Sequence, residues 1–198
     1  MIKLITQSIR QTLVWTVITG VLYPLAITAI AQLAFFEPAN GSLVVRDGKI
    51  VGSAFMAQQF TGPKYFWPRP SAANYGTGPS GLNAGSGSNF GPTSAQLQTN
   101  VRANAKALRE AHKLAVDAPV PADLVFASGS GVDPHISPAA ARFQIARVAA
   151  ARAMSEAEVT AVVEKFVEPP QWGFLGEARV NVLLLNLALD AAGAKKAG

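Results

Sequence analysis

The chain has 198 residues, of which 49% are hydrophobic and 15% are charged, and it contains no cysteine. Without cysteine it can form neither disulfides nor thiolate metal sites, and its two histidines lack the clustered carboxylates of other metal sites. The net charge is a modest +5, and the spacing of Arg142, Arg147 and Arg152 spreads them around a helix. We therefore interpret these arginines as solvated or paired, and we expect no nucleic-acid partner and no metal.

The first segment in chain order is also the most distinctive, because no charged residue occurs between Arg10 and Glu37. At about 1.5 Å per residue, a helix over residues 11–36 is long enough to cross a hydrocarbon core of roughly 30 Å. We predict that residues 11–36 form a transmembrane anchor in contact with membrane lipid, with a kink at Pro24.

The charges beside this segment predict its orientation. Lys3 and Arg10 precede it, so residues 1–10 are expected in the cytoplasm and residues 37–198 outside. A secretory signal has the same polarity, and Ala29-Ile30-Ala31 would supply a small-residue cleavage motif. The apolar run is longer than a signal core of about 7–15 residues, which favours a retained single-pass anchor.

Residues 37–198 are long enough for one compact domain with its own core. The patterning predicts an α+β fold, with one mixed α/β domain of short strands and about four helices, and a long Gly/Pro/Ser-rich loop at residues 68–92. Asp47-Gly48 predicts a hairpin turn, and residues 124–127 predict a short strand. The helices are expected from about Ser94 to Ala115, from Ser137-Pro138 to about Ala153, from a Ser155–Glu158 capping box to before Pro169-Pro170, and from about Asn181 to Ala192 with an end at Gly193.

A glycine- and serine-rich loop at residues 128–135 joins the predicted strand to the next helix. Such a loop can form a backbone nest for phosphate, or it can be a turn and cap in which Asp133 and Ser137 accept from backbone amides. The chain has neither a G-x-x-x-x-G-K-[ST] pattern nor a G-x-S-x-G elbow, so we expect no catalytic residue. His112 is expected to be an exposed helix residue.

An aromatic-rich segment ends at Trp67 and leads into the long loop. Tryptophan and arginine dominate the binding hot spots of protein interfaces, so we predict that this segment and the 128–135 loop serve assembly rather than chemistry. The residues of this predicted interface or functional loop are Trp67, Arg69, Ser71, Ser128, Asp133 and His135.

Several short motifs, taken together with the N-terminal anchor and in order along the whole chain, resemble the C subunit of the Kdp-type potassium-transporting P-type ATPase. No single piece is decisive, but the ordered set is highly specific. The matching pieces are Gly52-Ser53 with Gln59-Phe60, Tyr65-Phe66, Arg69-Pro70-Ser71-Ala72, Gly87-Ser88-Asn89, residues 121–125, residues 127–138, Arg147-Val148-Ala149, and Gly176 with residues 180–182 and 185–190.

The resemblance implies a non-catalytic accessory subunit of an ATP-driven potassium uptake complex in the bacterial inner membrane. Its partners would be a channel-like subunit and an ATP-hydrolysing subunit, whose ATP affinity this family is described as raising, as a catalytic chaperone. The resemblance also implies ATP contact through a Ser-Gly-Gly-Ser-like segment. Here that segment is Gly85-Ser86-Gly87-Ser88-Asn89, with the first two positions exchanged. The residues so implied are Ser86, Gly87, Ser88 and Asn89.

Two predictions follow for cofactor and function. The flanking charges place the domain outside, away from cytoplasmic ATP, so we expect no tightly bound cofactor and coupling through assembly. The alternative is a stand-alone domain, membrane-anchored or secreted, with a binding or hydrolytic activity of its own.

Overall fold

The computed structural model describes residues 1–76 and 85–194, which fall into two compact units that divide after Val44. The first unit is dominated by one helical run from Ile2 to Ala34, the one run among the described residues that is long and apolar enough to cross a membrane. It consists of α1 (Ile2–Val17), a π-helical turn (Ile18–Leu22) and α2 (Tyr23–Ala34), and the short α3 (Phe36–Ala39) follows it.

The π-helical turn lies where the sequence predicts a disturbance. Pro24 has no backbone N–H, and its ring would crowd the carbonyl one turn earlier in a regular α-helix. A wider turn immediately before the proline relieves that crowding. The hydroxyl of Thr19 donates to the carbonyl of Trp15 at 2.7 Å, so this polar side chain is satisfied within the helix itself.

The predicted hairpin is confirmed. Strands β1 (Leu43–Arg46) and β2 (Lys49–Ser53) form a two-stranded sheet around the Asp47-Gly48 turn. Both turn residues have positive φ, +51° and +72°, which is the conformation that an Asp-Gly pair adopts readily in tight hairpins.

The four long helices of the second unit begin within one residue of their predicted starts. Ser94, Ser137 and Ser155 each accept a hydrogen bond from a backbone N–H of the first turn, and Glu158 completes the capping box at Ser155. Together with the short strands, these helices confirm the predicted α+β domain. The helices are α4 (Ala95–Ala111), α5 (Pro138–Arg152), α6 (Glu156–Lys165) and α7 (Val182–Ala194).

A small antiparallel sheet joins these helices in one core. It has the order β3-β5-β4, with His135 opposite Asn181 and Val167 opposite Val180. Helix α5 packs on α6 and β5, and α6 packs on α7. The strands are β3 (His135–Ile136), β4 (Val167–Glu168) and β5 (Arg179–Asn181), and the fully buried aliphatic side chains include Val148, Val159, Val163, Val180, Leu185 and Leu189.

Three local predictions were wrong. The strand expected at residues 124–127 is absent, and a 3-10 turn (Ala122–Leu124) precedes this position, because Leu124 and Val125 are drawn into the core. Helix α4 ends at Ala111 because Lys113 adopts the left-handed conformation, so the N–H of residue 114 bonds to the carbonyl of residue 109. Helix α7 continues through Gly193, since its last turn does not need a left-handed residue there.

Candidate functional site

Two buried amide side chains fix the aromatic segment in place. The Asn186 side chain accepts from the N–H of Phe66 at 2.8 Å and donates to its carbonyl at 2.9 Å. Gln144 does the same for Trp67, at 2.8 Å and 3.2 Å. These amides replace the partner strand that the extended segment lacks, so the backbone at residues 66–67 is held as firmly as in a sheet.

Trp67 lies inside a cluster with a buried arginine. The guanidinium of Arg147, which is 9% exposed, stacks 4.1 Å from the centroid of the Trp67 ring. It also donates to the carbonyls of Pro63 at 2.6 Å and Tyr65 at 3.1 Å, and to the side-chain oxygen of Gln144 at 2.7 Å. Within the described part of the chain no carboxylate pairs with it, and burial lowers the pKa of Arg147 to about 10.

His112 completes this cluster, so its prediction as an exposed helix residue was wrong. Its Nε2 accepts from Nε of Arg147 at 3.1 Å, and its ring lies 4.5 Å from that of Phe143 and 6.4 Å from that of Trp67. Burial, and then the positive charge of Arg147, lower the pKa of His112 to about 4. The imidazole is therefore neutral at physiological pH, as an acceptor must be.

A second cluster brings together other residues that the sequence singled out. Arg69 donates to Asp133 at 3.0 Å, and the N–H of His135 donates to the other oxygen of the same carboxylate at 3.0 Å. Burial acts to raise the pKa of Asp133, but the hydrogen bonds from His135 and Arg69 outweigh it and hold the pKa below its ordinary value. Asp133 is therefore a stable carboxylate that joins two segments distant in sequence.

Ser71 ties the long loop to the glycine- and serine-rich loop. Its hydroxyl donates to the carbonyl of Gly131 at 2.5 Å and accepts from the N–H groups of Ala73 at 3.1 Å and Tyr75 at 2.9 Å. Tyr75 adopts a positive φ of +56°, and its hydroxyl donates to the carbonyl of Arg69 at 2.9 Å. Burial raises the pKa of Tyr75 to about 12, so this donor is kept at any physiological pH.

The family-implied segment lies directly on the 128–135 loop. A Cβ built on Gly87 would lie 2.7 Å from the carbonyl oxygen of Gly129, so the two backbones touch there. Gly131, with φ of +69°, faces the carbonyl oxygen of Ser86 so closely that a Cβ would lie 2.5 Å from it. Residues 77–84 of the predicted 68–92 loop lie outside the described residues.

Ser128 and Ser137 have structural roles in this cluster. Ser128 is 3% exposed, and its N–H donates to the carbonyl of Pro70 at 3.1 Å. The Ser137 hydroxyl accepts from the N–H of Ala140 at 3.0 Å at the start of α5. Together with the hydrogen bond that the N–H of His135 donates to Asp133, this confirms the turn-and-cap interpretation of the 128–135 loop.

Two clefts flank the cluster. One has a volume of about 480 Å³ and lies against α4, and the other, of about 510 Å³, contains both members of the Arg69–Asp133 pair. The lining of the first is polar or apolar but uncharged over the described residues, and includes Ser71, Gly87, Ser88, Asn100 and Asn104. Over the described residues this lining therefore supplies no cation for the phosphates of a nucleotide.

Five of the six residues in the predicted interface come together, while Trp67 belongs to the neighbouring Arg147 cluster. Sequence reasoning missed Arg147, His112 and Gln144 as structural partners. A usable signal existed, since Gln144 and Arg147 are three residues apart on α5, among alanines and Val148 that make up its buried face. Whether these residues meet a partner subunit stays a prediction.

Comparison with known proteins shows which sequences this chain is similar to. The family model for KdpC, described as K+-transporting ATPase, c chain, matches residues 5–191. Three relatives named potassium-transporting ATPase KdpC subunit are similar over nearly their whole length. They are from Methylococcus capsulatus (53% identity, 96% of this chain and 99% of the relative), Dechloromonas aromatica (50%, 95% and 97%) and Sorangium cellulosum (55%, 91% and 93%).

Proposed function

This chain belongs to the KdpC family of K+-transporting ATPase c chains, and we propose that it is a non-catalytic accessory subunit of an ATP-driven, high-affinity potassium uptake complex. The observation that carries the proposal is the extent of the match, which covers residues 5–191 and 99% of the Methylococcus relative. Both the apolar helix and the domain are included, so the proposed role involves them together.

The proposed location is the bacterial inner membrane, with a single-pass anchor at residues 11–36. Residues 1–10 would lie in the cytoplasm and residues 37–198 outside. The helical run Ile2–Ala34 supports an anchor, and the positive residues Lys3 and Arg10 near its amino-terminal end support the orientation.

The proposed partners are the channel-like and the ATP-hydrolysing subunits of the pump, and the proposed effect is a raised ATP affinity of the latter. An exterior domain cannot contact cytoplasmic ATP, so we propose that the coupling is indirect. A subunit that binds the ATP-bound pump more tightly than the free pump raises ATP affinity by the same factor. A tenfold effect needs only about 1.4 kcal/mol of differential contact.

The proposed contact surface is the cluster around Arg69 and Asp133. Their side chains keep 27% and 29% exposure, so both charges reach the surface while the ion pair holds them in position. The hydroxyl of Ser71 donates to the carbonyl of Gly131, which helps to fix the loop that carries Asp133. Rigid, partly exposed charges suit a contact surface, because little side-chain entropy is lost when a partner binds.

Co-purification tests this function. Tagged full-length chain is extracted in detergent from cells that express the whole complex, and its partners are identified by mass spectrometry. Polytopic pump subunits in fixed stoichiometry are expected. Recovery of the chain alone would favour the stand-alone binding or hydrolytic domain.

Two variants test the contact surface. Arg69→Ala should lower retention of the chain in the complex, whereas Lys106→Ala, whose side chain is 77% exposed on α4, should not. An intact complex with reduced turnover would contradict the interface and favour a functional loop.

Protease added outside spheroplasts should digest residues beyond about 40, and protection there would contradict the orientation.

A further inference from the structure

A short hairpin between β4 and β5 exposes an apolar tip that the proposed contact surface does not use. We call residues 169–176 the aromatic tip, with the sequence Pro-Pro-Gln-Trp-Gly-Phe-Leu-Gly. Residues Trp172 and Phe174 are 77% and 72% exposed, and Leu175 is 44% exposed. Trp172 and Phe174 are the two most exposed aromatic residues among the described residues of the second unit, and they lie side by side at one tip, so this exposure requires a reason.

The tip is built as a rigid support for these rings. Gln171 and Leu175 form an isolated antiparallel bridge, with N–H to carbonyl distances of 2.9 Å in both directions. The N–H of Gly173 bonds to the carbonyl of Pro170 at 2.9 Å, so the backbone of the tip is largely satisfied internally. A segment with paired backbone groups can enter an apolar environment at little cost.

The backbone conformation of Trp172 also supports a role for the exposed rings. Its φ of +55° is uncommon for a bulky residue, and the tight turn holds it there, with its ring 6.5 Å from that of Phe174. An asparagine or glycine would fit this backbone with less strain. The local cost is therefore tolerated for a position whose side chain is largely exposed beside the neighbouring ring.

The size of the patch distinguishes a lipid surface from a protein partner. From the exposed fractions, the three apolar side chains present about 400 Å². Charged residues bound the patch at its base, where Arg179 pairs with Glu168 at 2.9 Å and Glu177 is exposed. A specific protein interface buries at least about 1,000 Å² in total, which is about 500 Å² on each partner. The tip presents less than this area.

Lipid is available to this chain at high local concentration. Helix α2 ends at Ala34 and the second unit begins at Val45, and the residues between them would span at most about 40 Å even if fully extended. Tryptophan is enriched at the membrane–water interface because its ring is apolar and its N–H remains hydrated. The tip carries no charge of its own, so burial in the headgroup region desolvates none.

We propose that the aromatic tip inserts Trp172 and Phe174 into the lipid headgroup region, as a second and peripheral attachment of the domain to the membrane. The inference rests on the proposed membrane anchoring by α1 and α2. Its effect is to restrict how the domain rotates about its linker, since two attachments define an orientation that one does not.

The absence of cysteine allows a direct test in full-length chain, reconstituted in vesicles of neutral and anionic phospholipid. A nitroxide is attached at Phe174→Cys, and its collisions with oxygen and with a water-soluble nickel chelate are measured. Compared with a label on a water-exposed position, the label at Phe174 should collide more often with oxygen and less often with the nickel chelate. The matched control is Val116→Cys, whose parent residue is 90% exposed, and it should stay accessible to nickel.

Two further labels separate the possible outcomes. Ile27→Cys, in α2, reports whether the anchor itself is in lipid, so failure of the anchoring is distinguished from failure of the tip. Adding Trp172→Asn, which suits the positive φ, should return the Phe174 label to water. A label at Phe174 that stays in water while Ile27 is in lipid overturns the inference. Shielding from both reagents only in the assembled pump also overturns it and assigns the tip to a protein partner.

Discussion

Removal of the Arg147 side chain should destabilise the second unit more than removal of any exposed arginine on the same helix. Arg147→Ala leaves the carbonyls of Pro63 and Tyr65 and the side-chain oxygen of Gln144 without their shared donor. It also removes the cation from the face of the Trp67 ring. The interpretation of Arg147 from the sequence, as a solvated or paired arginine, was wrong, because the residue is buried and pairs with no carboxylate among the described residues.

The magnitude follows from what each contact contributes. A buried carbonyl left without a donor costs about 1–3 kcal/mol, and loss of the stacked guanidinium costs about 0.5–2 kcal/mol. Relief of the buried charge, which has no carboxylate partner among the described residues, offsets part of this sum. We expect a net loss of about 2–4 kcal/mol, which is a large share of the stability of a single domain.

Urea unfolding of the full-length chain in detergent measures this loss. With Trp15→Phe and Trp172→Phe as background, the fluorescence reports Trp67 alone. For a slope of about 1–3 kcal/mol/M, the midpoint should fall by roughly 0.7–4 M. The control is Arg142→Ala on the same helix, which removes an exposed ion pair with Glu164 and should change little. A loss below about 1 kcal/mol for Arg147→Ala would refute the reasoning.

Other predictions concern pH, loop contact and nucleotide. His112 has a pKa of about 4 in the folded chain against 6.5 in the unfolded chain, so only the unfolded chain gains its proton between these values. The free energy of unfolding should therefore be unaffected by His112 above pH 6.5 and should fall by up to about 3 kcal/mol as the pH is lowered to 4. Urea midpoints would show this fall, and His112→Asn should remove it. Gly131→Ala should separate the 85–89 segment from its neighbouring loop and raise proteolysis there, whereas Gly129→Ala, which has open space, should not. Full-length chain should bind ATP with a dissociation constant of millimolar or weaker in calorimetry, and micromolar binding abolished by Ser86→Ala with Ser88→Ala would contradict this.

The features predicted correctly from the sequence are those fixed by neighbouring residues. An N-cap serine acts within its own helix turn, and an Asp-Gly pair determines its own hairpin, so neither depends on the rest of the fold. The long apolar run is equally local, since its length and lack of charge are properties of consecutive residues. The strand expected at residues 124–127 was wrong because burial, rather than local pattern, decides that segment.

The features missed depend on contacts between distant segments. The bonds from Gln144 to Trp67 join residues 77 positions apart, and those from Asn186 to Phe66 join residues 120 apart. No periodicity encodes such pairs, and a buried arginine that meets no carboxylate in residues 1–76 and 85–194 contradicts the usual preference for exposure. The Arg69–Asp133 pair could be named residue by residue from the sequence, but only the fold brings its two members within 3.0 Å.

The proposed indirect coupling makes one further prediction, which follows from thermodynamic reciprocity. If the chain raises the ATP affinity of the hydrolysing subunit by a given factor, then bound nucleotide must tighten the chain's own attachment to the pump by that same factor. Dissociation of labelled full-length chain from the detergent-solubilised complex is measured with and without a non-hydrolysable ATP analogue. Arg69→Ala should weaken both effects together, because it acts on the contact through which they are coupled. Tightening by the analogue that survives Arg69→Ala but is abolished by Ser86→Ala with Ser88→Ala would contradict coupling through this contact and would favour direct contact with the nucleotide.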